Sequence, residues 1–559
     1  MPDLQGTGVS PGAGAGPVLA LAGSVPEPSA GERPAGDPAA ERARAHAALH
    51  AVAADLEARG AKAGGEARDV LAAQAMMALD PGLAELITTK IDSGLAAARA
   101  VFEAVGAYRE ALAGAGDYVA ARVADLDDIR DRAVAQLLGL PMPGVPTSDE
   151  PFVLVARDLA PADTALLDPA SVVALVTEDG GPTSHTAILA RAMGVPAVVA
   201  CVGCTDLADG MVVLVDGSSG LITVDPSPAE IAAARDRAAA RGAAVERASG
   251  PGQTADGHKI PLLANIGGPK DVEAAVAHGA EGVGLYRTEF LFLDRTDPPA
   301  VDEQEAAYRA ALAAFPGGTV VVRVLDAGAD KPLAFLPLPA AEPNPALGER
   351  GLRLLQRHPE VLADQLTALV RAAAGLTAKL QVMAPMVADV ADARDFVAAC
   401  RAAGVPSAGV MIEIPAAALR ARDVAAAVDF FSLGTNDLAQ YACAADRQVG
   451  ALARLQDPWQ PALLDLIAIA ADAAAGAGKS CGVCGEAAGD PALACVLAGL
   501  GVTSLSMSAP SLPPVRAALA GHTLDQCRRA AAAARAAATA DDARTAARAE
   551  LTGLAALGL

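Results

Sequence analysis

Hydrophobic and polar positions along this chain follow two periods. In the second half, short apolar runs recur at residues 262–266, 282–286, 320–325, 380–384, 409–412, 430–433, 480–483 and 504–507. Each has the length of a strand, and helical stretches separate most of them. Eight strands alternating with helices over residues 255–559 predict a TIM (β/α)8 barrel, with an open doubly wound sheet as the competing arrangement. The first half is different. A glycine-rich start before Val18-Leu-Ala-Leu21 reads as a turn followed by a strand. Residues 31–139 then carry alanine-rich helical periodicity broken at Gly60, Gly64, Pro81 and Gly114, which suits a small bundle of four helices. Apolar runs at 152–155, 172–176, 197–200 and 212–215 return to strands, and the charged stretch 226–250 suits a connecting helix. The reading is an α/β multidomain chain: 1–22 with 143–226 as one α/β domain, 23–142 as a helical insertion in it, 227–254 as a linker helix, and 255–559 as the barrel.

Composition refines this picture. Hydrophobic residues make up 53% and charged residues 19%, the balance of a folded chain with large cores, while 3% aromatics leave Ala, Val and Leu to fill them. The net charge of −23 disfavours nucleic acid and anionic membranes as general partners, so an anionic substrate must be held by locally clustered cations. No basic leader precedes Arg33, and the eight cysteines are scattered, which points to a cytoplasmic chain with reduced thiols. The uncharged stretch 491–515 contains Pro510, Pro513 and Pro514 and reads as a buried strand with its loops rather than a membrane span.

Polar residues fall repeatedly at the predicted strand ends, where barrels of this kind place their active sites. Arg287 follows the second strand, Arg323 lies in the third with Asp326 and Lys331 behind it, and Glu413 ends the fifth. Asn436 and Asp437 follow the sixth, with Arg447 beyond, and Cys484 and Glu486 follow the seventh. Guanidinium forks and an ammonium suit phosphate and carboxylate, while Glu413 and Asp437 are hard oxygen ligands of the kind that hold Mg²⁺ with a substrate phosphate. A small phosphorylated carboxylic acid is the natural ligand.

The C-x-x-C pairs Cys201/Cys204 and Cys481/Cys484 lie in different predicted domains, against a shared zinc site. Cys201 reads as core, whereas Cys484, bracketed by Gly482 and Gly485, stands where a thiol could exchange a proton with bound substrate. In Gly180-Gly-Pro-Thr-Ser-His-Thr-Ala-Ile, Thr183 and Ser184 are good helix caps and Gly194 a terminator, which sets His185 in or beside a first helical turn. A phosphoryl group on that imidazole would face free backbone N–H groups, although a merely capping histidine fits the same residues. The other histidines, His46, His50, His258, His278, His358 and His522, read as surface residues.

Together these segments resemble the enzyme I family of the bacterial sugar phosphotransferase system, the phosphoenolpyruvate–protein phosphotransferases. The resemblance rests on Gly8-Val-Ser-Pro-Gly12, the His185 segment, Gly282-Val-Gly-Leu-Tyr-Arg-Thr-Glu-Phe290, Asn344-Pro-Ala-Leu-Gly-Glu-Arg-Gly-Leu-Arg353, Ser432-Leu-Gly-Thr-Asn-Asp-Leu438 and Val483-Cys-Gly-Glu486, in that order. It implies a swivelling phosphohistidine domain, a helical insertion that docks the carrier protein HPr, and a barrel that binds phosphoenolpyruvate and dimerises. It further implies His185 as the phosphorylated nucleophile, Cys484 as proton donor to the enolate, and Arg287, Arg323, Asn436, Asp437 and Arg447 as substrate ligands. Glu413 and Asp437 would hold Mg²⁺. The third strand departs from the family, with Val324 and Ala329 where Thr and Gly are usual. A phosphoenolpyruvate synthase or pyruvate phosphate dikinase would share these parts but needs a large ATP-binding domain ahead of the histidine. A non-catalytic sensor of phosphoenolpyruvate or HPr would not require the intact His, Cys and acid pair.

Overall fold

The computed structural model describes residues 3–10, 12–21, 25–30, 34, 36–63, 71, 74–113, 123–140, 143–146, 148, 150–159, 167–168, 170–181, 184–293, 295–328, 331–336, 342–447 and 449–558. It divides into two compact units, one built from Met1–Gly180 with Ser184–Ser227 and the other holding Pro228–Leu559.

The first unit holds a mixed sheet of β1 (Leu4–Gln5), β2 (Thr7–Ser10), β3 (Ala13–Ala20), β4 (Phe152–Ala156), β5 (Val172–Thr177), β6 (Ala197–Val199), β7 (Val212–Asp216) and β8 (Leu221–Val224). Its order is β1-β8-β7-β3-β4-β5-β6-β2, with β3 to β6 mutually parallel and the remaining pairs antiparallel. The glycine-rich start is therefore three strands rather than a turn and one strand. Glycine allows it, because a Cβ at Gly14 would run into the Val173 backbone of β5. Helices Pro38–Ala63, Pro81–Asp92, Ala97–Ala113 and Val123–Leu138 interrupt this sheet between β3 and β4. Leu49, Val52, Leu83, Ile87, Val101 and Ile129 recur at helical spacing and form their common core. Asp80 caps the helix Pro81–Asp92 through the N–H groups of Gly82 and Leu83.

The second unit opens with the expected connecting helix, Pro228–Arg247, and continues into β9 (Leu262–Ile266), β10 (Gly282–Arg287), β11 (Thr319–Arg323), β12 (Lys379–Ala384), β13 (Ala408–Ile412), β14 (Phe430–Leu433), β15 (Ser480–Val483) and β16 (Ser504–Met507). All neighbours pair in parallel and β16 returns to β9, so the sheet is a closed barrel and the open-sheet alternative is excluded. Val320 and Val322 of β11 join the large core between strands and helices, while Val321 joins an inner cluster with Leu285, Met383, Met411, Phe430 and Cys484. Strand alternation thus separates a wall core from a lumen core.

Two expectations change here. The uncharged stretch 491–515 begins with a buried helix, Pro491–Gly499, capped by Asp490, before β16. Among the described residues no helix is long and apolar enough to cross a membrane. His522 is not a surface residue: it is fully buried, with Nδ1 2.7 Å from the Ala518 carbonyl oxygen. It follows the helix Leu512–Ala520 directly, and its imidazole folds back onto that helix's last turn, a position that spacing alone does not disclose.

Candidate active site

The C-terminal ends of the barrel strands carry a buried charge cluster with Asp326 at its centre. Arg323, the last residue of β11, pairs with Glu289 and lies 3.1 Å from Asp326. Asp326 also takes Lys331 Nζ at 3.2 Å and the Arg350 fork at 2.9 and 3.1 Å. Arg350 continues to Asp437 at 3.3 Å, and Arg447 stands 3.9 Å from the same carboxylate. Burial by itself would raise the Asp326 pKa, but Arg323, Lys331 and Arg350 outweigh it and hold the carboxyl well below its ordinary range. The cations expected to face an open mouth are therefore largely committed to carboxylates.

Glu413 follows β13 directly. Its Oε1 accepts the Met386 backbone N–H at 2.6 Å, and Met386 sits at φ +58, a left-handed backbone that costs energy for a residue with a side chain. Its Oε2 is buried without a hydrogen-bond partner among the described residues. Burial first, and then the charges of Asp437 and Asp326, push its pKa up to about 8 against the pull of Arg323 and Arg350. A Cβ at Gly434 would lie 2.9 Å from that same oxygen, so glycine lets the loop after β14 close over the carboxylate.

Cys484 follows β15, is buried, and has its Sγ 3.5 Å from the Leu433 carbonyl oxygen. Burial pushes its thiol up to about 11, opposed by a hydrogen bond from Ser432 and by the Arg323 charge. Arg287 ends β10 half-exposed, 3.9 Å from Glu486, whose backbone N–H donates to Asn436 Oδ1 at 3.2 Å. Residues drawn from five strand ends thus meet at one mouth. Sequence spacing assigns no role to Arg350 or Glu289, and none to Asp326 beyond its place after the third strand. For Arg350 a signal existed, since Gly348-Glu-Arg-Gly351 brackets charge with glycines and Gly351 adopts φ +59.

The mouth also collects unmet polar atoms: Arg323 Nε, Glu289 Oε2, Glu413 Oε2 and Thr435 Oγ1 are buried with no hydrogen-bond partner among the described residues. Each such atom costs about 1–3 kcal/mol, and their grouping marks where a polar ligand belongs. No set of three or more His, Cys, Asp or Glu side chains is placed to chelate a metal among the described residues. Mg²⁺ takes one or two carboxylates together with substrate oxygens, so Glu413, with a free buried oxygen, and Asp437 fit it.

In the first unit, Ser184 caps the helix His185–Met193, its Oγ accepting from the Ala187 N–H at 3.3 Å, and Gly194 at φ +68 ends it. His185 is the first helical residue, at the positive end of the helix dipole. Thr183 and Ala329 lie outside the described residues.

Three family models match the chain: the PEP-binding domain of PEP-utilising enzymes over residues 243–524, their mobile domain over 148–220, and their N-terminal domain over 5–122. A phosphoenolpyruvate-protein phosphotransferase of Streptomyces coelicolor is 65% identical over 98% of this chain and 99% of its own length. Proteins of the same name from Haloferax volcanii and Geobacillus stearothermophilus are 44% and 40% identical, covering 82% and 89% of this chain and 83% and 89% of their own. The chain belongs to the PEP-utilising enzymes and, within them, to the phosphoenolpyruvate–protein phosphotransferases. It is an enzyme.

Proposed function

We propose that the protein transfers the phosphoryl group of phosphoenolpyruvate to His185, releases pyruvate, and passes the phosphoryl group on to a histidine of HPr, the first step of sugar uptake by the phosphotransferase system. The observation that carries this reading is the set of unmet polar atoms beside Arg323, Glu413 and Cys484. Arg287, Arg323, Lys331, Asn436, Asp437 and Arg447 would hold the carboxylate and phosphate, forming charge-assisted bonds that strengthen as charge moves to the enolate oxygen. Mg²⁺ on Glu413 and Asp437 would neutralise the transferring group.

His185 attacks phosphorus, the bridging P–O bond breaks, and its electrons form the enolate. Cys484 then gives its S–H proton to the methylene carbon and completes the pyruvate methyl group. A thiol pushed up to about 11 is protonated at neutral pH, the state a donor requires. A helix N-terminus at His185 supplies dipole stabilisation for a phosphoryl group. Cytoplasmic location, HPr docking on the helices of 23–142, a swivelling His185 domain and a homodimer through the barrel belong to the same reading. So do the domain limits expected from sequence.

Incubation with phosphorus-labelled phosphoenolpyruvate and Mg²⁺ is expected to leave acid-labile, base-stable phosphate on the protein, and His185→Ala is expected to abolish it. Undiminished label on His185→Ala overturns the assignment.

A further inference from the structure

The lower half of the barrel lumen is not packed. A cavity of about 360 Å³ lies among the N-terminal ends of the strands, lined by inward positions that are small or hydroxylated: Gly284, Thr319, Ser432, Gly482, Ser504 and Ser506. A barrel lumen is ordinarily filled by branched side chains. Here a Cβ at Gly284 would meet Ser506 Oγ at 2.5 Å and one at Gly482 would meet Ser504 Oγ at 2.6 Å, so the hydroxyls occupy what space the glycines leave. Exposed Gly317, Ser480 and Thr503 also line the cavity, which therefore reaches the surface at the end opposite the charge cluster. Its volume has room for on the order of ten waters, and its lining supplies the polar partners they need.

Above this cavity the apolar layer of Leu285, Val321, Met383, Met411 and Phe430 separates it from the mouth. Cys484 belongs to that layer. Ser432 spans it: it lines the cavity and, paired with Gly482 on the adjacent strand, stands diagonally beside Cys484 two residues further along that strand. A second polar strand runs alongside: Ser506 donates to Asn265 Oδ1 at 2.6 Å, and Asn265 Nδ2 donates to the Cys484 carbonyl at 3.1 Å.

We infer that Ser432 and the polar lower lumen exchange the Cys484 proton with solvent from beneath, while substrate covers the mouth above. This rests on the reading of Cys484 as proton donor. When the S–H proton goes to the methylene carbon, its electron pair stays on sulfur. The Ser432 O–H proton passes to that thiolate, a cavity water reprotonates the serine, and one solvent proton is consumed for each phosphoenolpyruvate. The reverse sequence carries a proton taken from the pyruvate methyl group out to the cavity.

The test is isotope exchange at equilibrium with the full chain, Mg²⁺, phosphoenolpyruvate and carbon-labelled pyruvate in D₂O. Label entering phosphoenolpyruvate counts phosphoryl exchange events, and deuterium in the pyruvate methyl group counts thiol exchange. With a relay beneath bound substrate, deuterium enters on reversals that never release phosphoenolpyruvate, so wash-in outruns label exchange several-fold. Ser432→Ala is expected to lower the ratio to one-for-one by returning the same proton, and Ser432→Thr to restore it. The ratio is read per event, so a variant that folds in part still reports. Ser504→Leu, which fills the cavity without touching the thiol, is expected to lower the ratio too and stands in if Ser432→Ala is inert. A parental ratio of one-for-one, or the parental ratio in both Ser432→Ala and Ser504→Leu, overturns the relay. Cys484→Ala with undiminished exchange in both readouts overturns instead the role of Cys484 as donor.

Discussion

Replacing Arg350 by alanine removes the guanidinium that joins the two halves of the charge cluster. Its fork holds Asp326 at 2.9 and 3.1 Å and reaches Asp437 at 3.3 Å, with 1% of the side chain exposed. Breaking a buried ion pair by deleting one partner costs about 3–5 kcal/mol, because the remaining charge stays desolvated. At about 2.1 cal/mol/K of unfolding entropy per residue, a unit spanning Pro228–Leu559 loses roughly 4–7 °C in melting temperature. The single tryptophan, Trp459, is fully buried in this unit, so its fluorescence reports barrel unfolding alone. Arg350→Lys keeps the charge without the fork and is expected to recover part of the loss. The same deletion leaves Asp326 and Asp437 less neutralised beside Glu413. Its proton affinity rises further, and more Mg²⁺ is needed for phosphorylation from phosphoenolpyruvate. An Arg350→Ala protein whose Trp459 transition lies within about 1 °C of the parent, with an unaltered Mg²⁺ requirement, would refute the assignment of Arg350 as the bridge.

Two further outcomes follow from the same cluster. The Asp326 carboxyl is held below its ordinary pKa, so its stabilisation is present above about pH 4 and lost as pH falls toward the folded value. Asp326→Asn should therefore melt well below the parent at pH 7, and the gap should narrow only as pH falls below about 4 toward the folded value; a gap that is constant down to the most acid pH at which the parent stays folded contradicts this. In Gly434→Ala the new Cβ would stand 2.9 Å from both Glu413 Oε2 and Met411 Sδ. Such overpacking costs about 1–3 kcal/mol and displaces the carboxylate. Phosphorylation should then fall far more than the melting temperature, and parental rates at all Mg²⁺ concentrations would show that Glu413 has room to spare.

Much of this protein is local information. The barrel strands are legible because their wall-facing positions must be apolar and their lumen-facing ones uncharged over most of each strand, and the eight runs coincide with β9 to β16 to within one or two residues at each end. The helix at His185 is legible because Ser184, through its hydroxyl, and Gly194, through its backbone N–H, cap it with hydrogen bonds spanning three or four residues. Strand-end Arg287, Arg323, Glu413, Asp437 and Cys484 stand out because a barrel gathers its strand ends in one place. What the tertiary structure decided depends on distant partners. Arg350 and Asp437 are 87 residues apart in sequence, so no spacing rule foretells that one neutralises the other. The glycine-rich start forms strands only because the sheet offers it hydrogen-bonding edges, and His522 is buried by the way the chain leaves its helix. The open lower lumen is a cooperative result of glycines and serines from several strands facing one axis. Each is unremarkable in its own run, and only closure of the barrel turns them into a polar path to Cys484.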